Sequence, residues 1–134
     1  MVVDTSALLA VILKESSRQS ILNRLESSAP KFLSAVSFLE AGIVVRSRLG
    51  TSAMALLDEL VEDLGCEVIP FDEVQARLAI TAFGRFGKGL GHRAQLNFGD
   101  CAVYALAISR GEPVLALGND FSATDLPVLP PDTA

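Results

Sequence analysis

The sequence predicts an α/β fold in which a short parallel sheet is covered by helices on both faces. Three observations predict it. Short apolar runs recur along the chain at Val2-Val3, Phe32-Leu33, Cys66-Glu67-Val68-Ile69-Pro70 and Pro113-Val114-Leu115-Ala116-Leu117. Longer segments with apolar residues at helical spacing separate them, the alternation expected of βαβ units. The 134 residues suit one domain, 1–134, with its own core.

Val2-Val3 reads as a buried strand running straight into Asp4-Thr5-Ser6. Ala7 to Leu13 is the first helix, capped by Asp4 or Thr5. Ser16 or Ser17 opens a second, with Ile21, Leu22 and Leu25 on its apolar side. Ala29-Pro30 breaks it, and Phe32-Leu33 is the second strand. Ser34 to Arg48 reads as a long helix ended by Gly50. Thr51 starts another, in which Met54, Leu57, Leu60, Val61 and Leu64 share one face, and Gly65 ends it. Asp58, Glu59, Glu62 and Asp63 then fall on its solvent side. After the strand Cys66 to Pro70, Asp72 begins a helix that runs to about Phe86. Gly84 to Gly99 carries five of the ten glycines and reads mostly as loop. Asp100 to Arg110 is helical, Gly111 terminates it, and Pro113 to Leu117 is a buried strand before the turn Gly118-Asn119-Asp120. The proline-bearing tail is expected to pack loosely, with Val128 in a last edge strand.

Half the residues are hydrophobic and Trp is absent, so Ala, Val, Ile and Leu must build the core. Cys66 and Cys101 stand far apart with no CxxC and no histidine at ligand spacing, which argues against zinc and for two buried thiols. The start Met1-Val2-Val3-Asp4 has no basic segment before a hydrophobic stretch, and no apolar run approaches a membrane span. A cytoplasmic location is expected. The net charge of −5 disfavours a broad basic surface for nucleic acid.

Four acids occupy unusual places. Asp4 follows the first strand, where open parallel sheets form their sites, although it also suits a helix cap. Glu40 has Val36, Ser37, Ile43 and Val44 one turn away, a mostly apolar stripe with no Lys or Arg to pair with it. Asp100 opens an apolar helix, and Asp120 follows the strand Val114 to Leu117. Carboxylates that converge repel one another. An oxygen-only acidic cluster is the donor set that Mg²⁺ or Mn²⁺ prefers.

Four segments carry a family resemblance. Val2-Val3-Asp4-Thr5-Ser6-Ala7, Ser37-Phe38-Leu39-Glu40, Leu96-Asn97-Phe98-Gly99-Asp100-Cys101 and Leu117-Gly118-Asn119-Asp120-Phe121 with Thr124-Asp125-Leu126 resemble, in order, the acidic motifs of PIN-domain ribonucleases, in the form seen in VapC toxins. The resemblance implies a PIN-like α/β/α sandwich and a metal-dependent endoribonuclease. It implies catalytic, metal-holding Asp4, Glu40, Asp100 and Asp120, with Mg²⁺ or Mn²⁺ activating a water that attacks phosphorus. It also implies an RNA substrate, a VapB-type antitoxin partner and a homodimer. Asn119 stands where the family often carries a second acid. Thr5 and Ser6 are expected to orient carboxylates from a second layer, or else to cap the helix. Two divalent ions would offset −5 to −1. Arg85, Lys88, His92 and Arg93 could then form a local basic rim for RNA, whereas Arg46 and Arg48 read as a solvated face. Two other readings compete. An aspartate-nucleophile phosphatase would want a second Asp where Ser6 stands. A non-catalytic PIN-like binding module would be expected to lack one or more of the four acids.

Overall fold

The computed structural model describes residues 1–129. Five parallel strands form one sheet in the order β3-β2-β1-β4-β5. They are β1 (Val2–Val3), β2 (Lys31–Ser34), β3 (Cys66–Ile69), β4 (Val114–Leu115) and β5 (Val128–Leu129). Six helices cover them: α1 (Thr5–Ile12), α2 (Arg18–Leu25), α3 (Ala35–Leu49), α4 (Met54–Asp63), α5 (Glu73–Phe86) and α6 (Phe98–Arg110). Successive strand residues face opposite sides, and this splits the core in two. Val2, Phe32, Ile69 and Val114 pack under α5 and α6. Val3, Leu33, Cys66 and Leu115 pack under α1 to α4. The largest fully buried side chains are Leu, Ile and Val, as a chain without Trp requires, and both thiols are free and buried.

Most expected boundaries hold within two residues, and the differences have local causes. Thr51–Ala53 is a 3-10 turn that delays α4 to Met54. Asp58, Glu59, Glu62 and Asp63 all face water. Ser17 precedes α2 but its side chain makes no cap bond. The fourth strand is shorter than expected, Val114–Leu115 alone. Helix α6 starts at Phe98, capped by Asn97, so Asp100 is the third residue of its first turn rather than its cap. The glycine-rich stretch is closed at its base by a Gly87–Leu96 bridge, which leads the chain directly into that cap. Val128 does pair at the sheet edge, beside Val114. The loosely packed tail falls partly on residues 130–134, outside those described.

The strand order positions the site. From β1 the chain moves outward to β2 and β3, then returns to lay β4 on the other side of β1. In open parallel sheets such a reversal leaves a crevice beyond the carboxyl ends of the two strands. Asp4 leaves β1 there, and Asp120 lies in the turn beyond β4.

Candidate active site

Asp4 is 8% exposed and caps α1. The backbone N–H and the hydroxyl of Ser6 both donate to Asp4 Oδ2, at 3.0 and 2.6 Å. The same hydroxyl accepts the N–H of Leu117 at 3.0 Å, 111 residues away in sequence. Ser6 therefore ties the first acid to the exit of β4, three residues before Asp120. Thr5 performs the matching task for Glu40, donating its hydroxyl to Oε1 at 3.1 Å. Asp4 is the cap of α1, and the Thr5 and Ser6 hydroxyls, rather than capping the helix, bond the carboxylates of Glu40 and Asp4.

Glu40 does not lie on the buried stripe of α3. That stripe is Ser37, Ala41 and Val45, and Ile43 is exposed. Glu40 stands beside it, half-buried, with its carboxylate against the backbone of Gly99. A methyl group at Gly99 would come within 2.6 Å of Glu40 Cδ, so only glycine admits this approach. The sequence motive for singling out Glu40 was thus partly mistaken, although the residue does face the other acids.

Asp100 is held by a capping box. Its carboxylate accepts the N–H of Asn97 at 3.0 Å, and the Asn97 side chain accepts the N–H of Asp100 at 2.9 Å. The paired bonds satisfy two otherwise free helix donors and fix the rotamer. Asp120 is exposed in its turn.

The four acids feel one another. Burial pushes the Asp4 carboxyl up, the Ser6 bonds pull it down, and the charge of Asp120 raises it. Burial also raises Glu40, against its Thr5 bond and with help from Asp4. Asp100 rises to about 6, mainly through burial; the Asn97 N–H lowers it, and the charges of Asp4, Asp120 and Glu40 add to the rise. Desolvation and like charge both disfavour ionisation, so the set is short of positive charge. Among the described residues, no three His, Cys, Asp or Glu side chains stand in ligating geometry for one ion. The donor chemistry nevertheless fits Mg²⁺ or Mn²⁺, since every donor is oxygen. Mg²⁺ takes one or two carboxylates directly and reaches others through its waters.

The expected basic residues are split. Arg85 lies over the Phe86 ring at 4.6 Å and reaches Asp125 at 3.4 Å. His92 packs edge-on against Phe86, centroids 5.0 Å apart, and its Nδ1 accepts the Ala94 N–H. Lys88 and Arg93 are exposed. Sequence reasoning assigned no part to Asn97, Gly99 or Tyr104. For Asn97 a signal existed, an Asn followed three residues later by an acid. For Gly99 and Tyr104 the cause is tertiary.

An α/β/α sandwich with coupled acids beyond a strand reversal defines a class, and residues 1–126 match the PIN domain. The chain belongs to the PIN-domain family. It is 48% identical over 124 residues to ribonuclease VapC28 of Mycobacterium tuberculosis, covering 92% of this chain and 93% of that one. Its fold matches the crystal structure of VapC20 of M. tuberculosis, a sarcin–ricin loop cleaving toxin, with a TM-score of 0.77 at 20% identity over 96% of this chain and 97% of that chain. It also matches VapBC2 from Rickettsia felis, solved bound to a DNA fragment from their promoter, with a TM-score of 0.73 at 17% identity over 96% of each chain.

Proposed function

We propose that the chain is an endoribonuclease, the toxin of a VapBC-type toxin–antitoxin pair, acting in the cytoplasm with Mg²⁺ or Mn²⁺. One observation carries the reading: beyond the β1–β4 reversal, Ser6 ties Asp4 to the Leu117 N–H three residues before Asp120, and Glu40, bonded by Thr5, lies against Gly99, the neighbour of Asp100. These four residues would hold the cation, directly or through water. When bound, the cation supplies Lewis-acid stabilisation of phosphate charge and lowers the pKa of an attacking water.

The chain's own residues do the rest. Ser6 fixes Asp4, Thr5 fixes Glu40 and Asn97 fixes Asp100, so the carboxylates need little reorganisation when charge develops. Arg85, Lys88, His92 and Arg93 lie on or beside the loop that enters α6, where they can meet an RNA backbone. No described helix is long and apolar enough to cross a membrane. Leu39 and Ile43 on α3, Ile80 and Phe83 on α5 and Phe98 at the start of α6 are exposed apolar residues. Two copies paired through such a face would bury it, which supports the homodimer. The antitoxin partner follows from the toxin reading.

Purified protein incubated with total RNA should give discrete cleavage ends in Mg²⁺ and none in EDTA. Equal cleavage in both conditions, or none in either, would overturn the reading.

The Gly99 contact gives a second test. In Gly99→Ala the new methyl meets the far end of the flexible Glu40 side chain, so the carboxylate moves and the fold survives. Mn²⁺ affinity measured by calorimetry should fall about tenfold or more. The melting temperature in EDTA should stay within a few degrees of wild type, about 2–8 °C. Unchanged affinity would mean that the position of Glu40 does not matter.

A further inference from the structure

Asp120 is the exposed member of the four, carried on the turn that follows β4. Residues 119–126 are bonded among themselves. The Ser122 hydroxyl donates to Asn119 O at 2.9 Å, the Thr124 N–H and hydroxyl donate to Phe121 O at 3.0 and 2.6 Å, and the Leu126 N–H donates to Thr124 Oγ1 at 3.1 Å. Buried Phe121 and Leu126 seat this unit on the core. Its polar anchor is Asp125. The Tyr104 hydroxyl donates to Asp125 Oδ1 at 2.7 Å, and Arg85 Nη1 lies 3.4 Å from Oδ2.

The placement of Tyr104 gives the anchor its meaning. Tyr104 is four residues beyond Asp100 on α6, so both side chains leave the same helix face. One rigid helix thus presents Asp100 and also holds the loop that carries Asp120. The Tyr104 ring is buried against Phe86, centroids 5.8 Å apart, which leaves its hydroxyl little freedom. The Arg85–Asp125 pair is about half exposed on each side, and pairs of that kind add little stability. A hydroxyl bonded to a carboxylate is stronger and more directional.

We propose that Asp125 is a positioning residue: held by Tyr104 and Arg85, it sets the spacing of Asp120 from Asp100 and thereby the affinity of the acid site for its divalent cation. The inference rests on the reading of these acids as a cation site. Partners that orient a metal site from behind are worth about 10–100-fold in affinity.

Calorimetric titration of the full chain with Mn²⁺ tests it, using Asp125→Ala, Tyr104→Phe, Asp125→Asn and the control Asp100→Asn. Asp125→Ala and Tyr104→Phe should weaken binding about 10–100-fold. Asp125→Asn keeps an oxygen for the Tyr104 hydroxyl and should recover part of the loss. RNA cleavage by the weakened variants should return toward the wild-type rate as Mn²⁺ is raised, a rescue that a merely misfolded protein would not show. If Asp125→Ala fails to fold, Tyr104→Phe and Asp125→Asn carry the comparison. Wild-type affinity in Tyr104→Phe and Asp125→Asn, with binding lost in Asp100→Asn, overturns the positioning role and leaves the cation site standing. Absence of Mn²⁺ binding by wild type, or wild-type affinity in Asp100→Asn, overturns the cation site itself.

Discussion

Asp100→Asn is expected to reduce RNA cleavage by well over 100-fold while the protein remains folded. The estimate exceeds the roughly 10–100-fold seen when a partner behind a metal ligand is lost, because Asp100 is placed to hold the cation itself. Asparagine keeps the shape of the side chain. Its amide oxygen can still accept the Asn97 N–H, so the capping box and the start of α6 persist. What disappears is one negative charge in the field of Asp4, Glu40 and Asp120. Initial rates on a defined RNA in Mg²⁺, with circular dichroism to confirm the fold, measure the effect. On expression, the growth inhibition expected of a toxin should vanish with the activity. Full cleavage by this variant would remove Asp100 from the mechanism.

The second large effect is on stability and needs no RNA. Burial and like charge raise the carboxyls of Asp4, Glu40 and Asp100 above their ordinary values, Asp100 to about 6. A raised folded-state pKa means that the native protein binds more protons than the unfolded chain between the two values. Stability from these groups therefore falls as pH rises from about 3.8 to about 6, and it is regained as pH falls through that window. Asp125 runs the other way, since the Tyr104 hydroxyl holds its carboxyl low and its contribution is lost in acid. The net expectation in EDTA is a higher melting temperature near pH 5 than near pH 7, because three acids outweigh one that is exposed. Glu40→Gln should melt higher than wild type in EDTA at pH 7. Glutamine can still accept the Thr5 hydroxyl, and Glu40 lies mid-helix where it caps nothing. Mn²⁺ should stabilise wild type by about 2.7 kcal/mol at a hundredfold excess over Kd, with each kcal/mol worth about 2–8 °C. The variant should gain less. Scanning calorimetry at two pH values, with and without Mn²⁺, decides. A Glu40→Gln protein that melts lower in EDTA and responds normally to Mn²⁺ would make Glu40 a structural residue.

Much of this protein was legible along the chain. Val2-Val3 running into Asp4 announced a strand and a cap, and Leu57, Val61 and their acidic opposites announced an amphipathic α4. These features follow from backbone periods of two and 3.6 residues and from capping chemistry, which act over a few neighbours. The four acids and Thr5 and Ser6 were singled out on similar local grounds, a place near a strand or helix end or an interruption of a local pattern, together with the family resemblance of the segments that carry them. The exception is instructive. Glu40 was singled out for an apolar stripe, yet Ile43 on that stripe faces water. A helix with two apolar faces does not say which one the sheet will cover.

Tertiary structure alone decided how these residues meet. Ser6 bonds Leu117 because β4 lies beside β1, an adjacency set by strand order and not by either segment. Glu40 reaches Gly99 because α3 packs near α6. The Tyr104–Asp125 bond needs α6 and the segment before β5 to arrive together. Such contacts depend on which layers the chain stacks and in what order, so no window of neighbouring residues encodes them. The sequence by itself determined the elements and the chemical kind of the site, because those are local. The packing of distant elements determined that the acids share one electrostatic field and which side chains hold them in place.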